Sequence, residues 1–202
     1  MCVSIIGAFP SSQRRRAPYR NVRLCVSTVF GMKFETISIS YRGAVKKLFP
    51  KLRGRVFHIT SPENFMAICK SGEILNNKNG SLKKNWSNGY YFATKGCVSV
   101  CDLVNNTKPR VTRDKCLTDY QIFGQDWGST TVFLFLSPLT HDRLITWHAW
   151  KLEKAFTCKV VPEMESGFPN SIPMSAIEEI WFVKIKDREW RWKLKEIYSR
   201  IN

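Results

Sequence analysis

Residues 56–74 read VFHITSPENFMAICKSGEI, and the change of period inside this stretch decides the fold class. Apolar and β-branched residues crowd its start, which predicts a strand over Arg55–Ile59. Ser61 before Pro62 is a helix start, because a capping hydroxyl precedes a proline whose missing N–H costs nothing in the first turn. Phe65, Ile68 and Cys69 then recur on one helical face, and Ser71–Gly72 supplies the stop. A strand therefore runs straight into a helix, with His58 at the strand end and Asn64 in the first helical turn.

Further strands are predicted at Gly89–Ala93, Thr131–Leu136, Thr157–Pro162 and Ile180–Ile185, each rich in Val, Ile, Phe or Tyr and bounded by turn formers. MKFETISIS, from Met32, alternates like another. Cys97–Val104 reads as a short helix, with Cys97 and Cys101 four apart, and Asp187–Ile201 reads as an amphipathic one. YRGAVKKLFPKLRGR, from Tyr41, reads as a basic amphipathic helix or arm interrupted by Pro50. The Asn-, Gly- and Lys-rich residues 76–88 read as a long polar loop. Short strands mixed with few helices predict an α+β fold.

The 202 residues suit one domain with a proper core. Residues 1–31 read as a basic, poorly ordered leader, and residues 32–202 as a single domain, with Met32 an alternative start. No run approaches the ~18–20 apolar residues of a membrane span, and the N-terminus puts its arginines after its apolar patch, the wrong order for a secretory signal. Seven cysteines at irregular spacing and three histidines predict reduced thiols in a cytoplasmic protein and no metal.

The net charge of +16 is the strongest global signal. Twelve Lys and Arg precede His58 against the single acid Glu35. Such a front-loaded excess points to an acidic partner, nucleic acid before an acidic protein or a membrane surface, with solubility as the plain alternative. Trp86, in the polar loop, is a candidate platform for stacking an exposed base of a single strand.

Taken singly, His58 and Tyr91 are more often packed residues than functional ones. Glu165 differs, because Pro162, Gly167 and Pro169 surround it and mark an irregular loop, a common way to present a catalytic carboxylate. The order of the three adds weight. A His at a strand end, then NGYYFA, then a late loop Glu resembles the His–Tyr–Glu arrangement of ADP-ribosyltransferases. NGYYFATKGCVS is similar to that group's Gly-x-Tyr-Phe-Ala pattern with a Ser some eight places on, and HITSPENF resembles the H-x-T-x-x-x-N-[LF] signature of DarT-type toxins, which modify bases of single-stranded DNA. EMESGFPNSIP resembles the same family's late motif, whose catalytic Glu stands seven residues before an apolar–Pro pair, here Ile172–Pro173.

The resemblance implies a split antiparallel β-sheet core and an NAD-dependent mono-ADP-ribosyltransferase, a toxin or defence factor modifying RNA or single-stranded DNA, with an antitoxin as a possible further partner. NAD serves as co-substrate. Glu165 is implied as catalytic, Tyr91 as the ring under nicotinamide, and His58, Thr60, Asn64 and Ser99 as NAD contacts. Two features depart from the DarT pattern. Asn76–Lys84 offers lysines where that family uses an Arg, and Glu163-x-Glu165 resembles the [Gln/Glu]-x-Glu of transferases acting on arginine or guanine, which makes Glu163 a candidate on the substrate side. A protein-arginine transferase and a catalytically inactive nucleic-acid-binding module are the alternatives. An RNA 2′-phosphotransferase is disfavoured by the Glu-Ser-Gly loop. No G-x-G-x-x-G follows a strand, so a Rossmann mode of NAD binding is not expected.

Overall fold

Alternating side chains make Lys33–Ile39 (β1) a strand, and the unbroken apolar runs at Val56–Thr60 (β2), Thr130–Leu136 (β5) and Ile177–Ile185 (β8) make strands buried on both faces. The computed structural model describes residues 32–80, 90–104, 114, 116, 122–123, 130–155 and 160–186. With Cys97–Asp102 (β4) and Glu165–Pro169 (β6), these strands form a six-stranded sheet in the order β1-β8-β5-β2-β4-β6. Only the β1–β8 pairing is parallel. Glu73–Ile74 (β3) and Ile172–Pro173 (β7) form a separate two-stranded ribbon. The fold is mixed α+β with a mostly antiparallel sheet and few short helices.

Each face of the sheet carries its own core. Val56, Val100, Leu134, Ile180 and Phe182 lie beneath the Pro62–Ser71 helix, whose Phe65 meets Phe182 edge-on at 5.3 Å. That helix starts and stops where expected: Ser61 Oγ accepts from the Asn64 N–H at 3.1 Å, and Gly72 ends it in the left-handed conformation at φ 79°. Phe57, Ile59, Phe133, Phe135 and Trp181 point the other way, under Ala44, Leu48, Phe49 and Leu52.

The Tyr41–Leu52 segment is not broken at Pro50. It runs as Tyr41–Gly43, a π-turn at Ala44–Leu48 and Phe49–Leu52. Pro50 has no N–H to give to the carbonyl four residues back. The wider π-turn just before it, closed by Phe49 N–H on Ala44 O, accommodates the missing donor.

Two expectations are reversed. The Gly89–Ala93 strand is instead a helix at Tyr90–Thr94, and the Cys97–Val104 helix is instead strand β4. Buried Tyr91 and Phe92 enter an aromatic cluster with Trp150, which rewards a helical turn over the strand propensity of tyrosine. In β4, Val98 and Val100 face one core while Cys101 faces the other, so the period is two and the Cys97–Cys101 spacing is coincidental. No strand covers Val160–Pro162, and Thr157–Lys159 lie outside the described residues. So do the leader 1–31, the 187–201 helix, and the second half of the polar loop with Trp86.

Candidate functional site

Strands β2 and β4 share only two ladder pairs, Val56↔Asp102 and Phe57↔Cys101. His58 follows at once. It stands in the middle of β2 rather than at its end, one residue past the last ladder pair. Its Nδ1 lies 2.9 Å from the Ser99 carbonyl, so a side chain rather than a further ladder pair links β2 to β4 here. A carbonyl only accepts, so Nδ1 carries the proton and Nε2 is left as an acceptor on the neutral ring. Burial lowers the pKa of His58, partly offset by its bond to Ser99 O, which keeps the imidazole neutral at pH 7.

Ser99 continues the chain of contacts. Its backbone meets His58, and its hydroxyl donates to Glu165 Oε1 at 2.5 Å. The other carboxylate oxygen, Oε2, accepts from the Val161 N–H at 2.8 Å, and the Glu165 N–H returns a bond to Val161 O at 3.1 Å. Glu165 is thus not on an irregular loop. It opens β6, paired with Cys101, and is only 2% exposed. The turn Pro162–Met164 before it supplies the geometry that the flanking prolines signalled. Burial pushes its carboxyl up to about 7, although the Ser99 and Val161 hydrogen bonds pull it down. A carboxyl near half-ionised at neutral pH suits both charge stabilisation and proton acceptance.

Gly167, opposite Ser99, sets the border of this site. A Cβ there would meet Trp150 Cζ2 at 2.7 Å and Phe92 Cδ1 at 3.0 Å, so only glycine lets the aromatic cluster close against β6. Tyr91 belongs to that cluster, edge-on to Trp150 at 5.5 Å, and its hydroxyl donates to Glu153 Oε2 at 2.9 Å. Glu153 also pairs with Lys95. Tyr91 is therefore buried and anchored at its polar end, one ring away from Gly167.

His58, Ser99 and Glu165 are joined by direct hydrogen bonds. Thr60 ends β2 and is buried, while Asn64 is exposed and gives its backbone N–H to the cap. Glu163 is exposed on its turn with φ 64°. Val161 and Glu153 escaped the sequence reading, and Gly167 entered it only as a loop marker beside Glu165. Gly167 was legible as a possible close approach in a strand, whereas nothing in the sequence marks the Val161 N–H.

No protein-family model, curated protein or solved structure matches the chain. Among the described residues, no three His, Cys, Asp or Glu side chains gather as a metal site, and no helix is long and apolar enough to cross a membrane.

Proposed function

We propose that this chain is an NAD-dependent mono-ADP-ribosyltransferase on an ADP-ribosyltransferase-like split sheet, modifying RNA or single-stranded DNA with release of nicotinamide. The observation that carries the reading is Ser99, which ties the neutral His58 to the shielded Glu165 carboxyl where the β2–β4 ladder ends. The three residues come from separate motifs in the sequence and meet at one place in the fold.

The reaction breaks the bond between ribose C1 and nicotinamide through a transition state with oxocarbenium character. An ionised Glu165 opposes that positive charge in a setting where few waters screen it. The same carboxylate then accepts the proton of the incoming nucleophile as its oxygen or nitrogen bonds to C1. His58 Nε2 accepts a hydrogen bond from a ribose hydroxyl. His58 and Ser99 are both partly exposed, which leaves each within reach of a bound ligand. Chemistry of this kind, aimed at nucleic acid, fits a toxin or defence factor held in check by an antitoxin.

Incubation with NAD labelled in its adenylate half, together with oligonucleotides and protein, tests the target. Label on single-stranded nucleic acid is expected. The second reading, transfer to protein arginine, is favoured by the exposed Glu163 two residues before Glu165, and label confined to protein selects it. Failure to release nicotinamide with any acceptor selects the inactive module.

A further inference from the structure

The Tyr41–Leu52 segment has a buried underside and a cationic outer side. Ala44, Leu48, Phe49 and Leu52 are at most 3% exposed. Arg42, Lys46, Lys47 and Lys51 are exposed, and so is Arg53 just beyond. No acid occurs between Glu35 and Glu63. None of these five cations forms an ion pair among the described residues. Arg55, two positions on, shows what a paired cation looks like here. It meets Glu179 at 2.8 Å and Glu178 at 3.2 Å and lies over the Phe135 ring.

The clustering is not a folding device. Arg42 and Lys46 stand four apart, as do Lys47 and Lys51, and like charges at that spacing weaken a helix. It does not suit a lipid surface either, because the apolar face that would enter the bilayer is already committed to the core. The segment covers the same face of the sheet as Glu165. Leu48 and Leu52 share a cluster with Met164, which precedes Glu165, and with Cys101, which pairs with it.

We propose that Arg42, Lys46, Lys47, Lys51 and Arg53 form the track that holds the phosphate backbone of a single-stranded nucleic acid acceptor beside the Ser99–Glu165 site. The choice of partner rests on the transferase reading, while the surface itself does not. From Arg42 to Lys51 the segment rises about 13 Å at ~1.5 Å per residue, long enough to meet more than one phosphate of an extended strand.

The test compares the full-length chain with a Lys46→Ala/Lys47→Ala/Lys51→Ala variant and a control of equal charge, Lys70→Ala/Lys151→Ala/Lys184→Ala. Binding to a fluorescent single-stranded oligonucleotide is measured across salt concentrations. Removing three phosphate contacts lowers the log–log salt slope by about 2, at roughly 0.7 per phosphate. The control slope is expected to stay near that of the parent. Equal losses in both variants, or a loss seen only with phosphatidylserine vesicles, overturn the track. Nicotinamide release without oligonucleotide is followed in parallel and is expected to be unchanged in the track variant. If the parent chain releases none, the transferase reading fails, and the salt slope still decides the track on its own.

Discussion

The Ser99 hydroxyl and the Glu165 carboxylate are joined at 2.5 Å across neighbouring strands, on a carboxyl that burial has pushed up to about 7. Folding therefore makes Glu165 harder to ionise. The unfolded chain releases this proton near 4.5 and the folded chain only near 7, so burial of the charge withdraws stability as pH rises through that window. The full effect is roughly 3 kcal/mol, at about 1.4 kcal/mol per pH unit. Glu165→Gln has no such charge, and its amide can still serve the Val161 N–H and the Ser99 hydroxyl. The variant is expected to melt higher than the parent near pH 8 and at a similar temperature near pH 5. Parallel melting curves at both pH values contradict this.

Ser99→Ala removes a hydrogen bond that favours ionised Glu165. A hydrogen bond to a charged group is worth about 1.5–3 kcal/mol, so the carboxyl titrates about 1–2 pH units higher. On the proposed mechanism the carboxylate is the working form, so the pH–rate profile for nicotinamide release is expected to shift to higher pH in the variant. A uniform loss of rate with an unmoved profile assigns Ser99 a packing role instead.

His58→Ala removes the hydrogen bond to Ser99 O, at about 1 kcal/mol of stability, and on the proposed mechanism also removes one acceptor for the NAD ribose. KM for NAD is expected to rise about tenfold while the protein stays folded. A steep fall in melting temperature with unchanged KM places His58 in the core alone.

Tyr91 calls for paired variants, because its ring is buried between Phe92 and Trp150. Tyr91→Ala opens a cavity and costs about 3–5 kcal/mol, so its loss of activity cannot be told from unfolding. Tyr91→Phe keeps the ring and removes the bond to Glu153, about 1 kcal/mol. A ring that serves nicotinamide predicts near-parental turnover for Tyr91→Phe. Loss of turnover in a folded Tyr91→Phe protein assigns the role to the hydroxyl and Glu153.

Much of the scaffold was legible. The apolar runs of β2, β5 and β8, the alternation of β1, and the Ser61–Pro62 start with its Gly72 stop all follow from local chemistry. Tyr90–Thr94 and Cys97–Asp102 did not, because contacts distant in sequence decide them. Trp150 captures Tyr91 and Phe92 into a helical turn, and β6 supplies the ladder that holds Cys97–Cys101 extended. The site was legible as three motifs but not as a geometry. Ser99 drew its importance from a carbonyl and a hydroxyl that reach different strands, which no spacing along the chain reveals. Glu165 looked like a loop residue because the prolines around it mark turns, and the one strand between those turns is short.

The central claim is that an ionised Glu165 stabilises the positive charge that develops on the NAD ribose as nicotinamide leaves. Nicotinamide release by the purified chain, measured for the parent, Glu165→Gln and Glu163→Gln near neutral pH, tests it most directly. Loss of one well-placed electrostatic group predicts a rate about 10²–10³-fold lower for Glu165→Gln, with Glu163→Gln affected far less. Release that survives in Glu165→Gln while Glu163→Gln abolishes it contradicts the account.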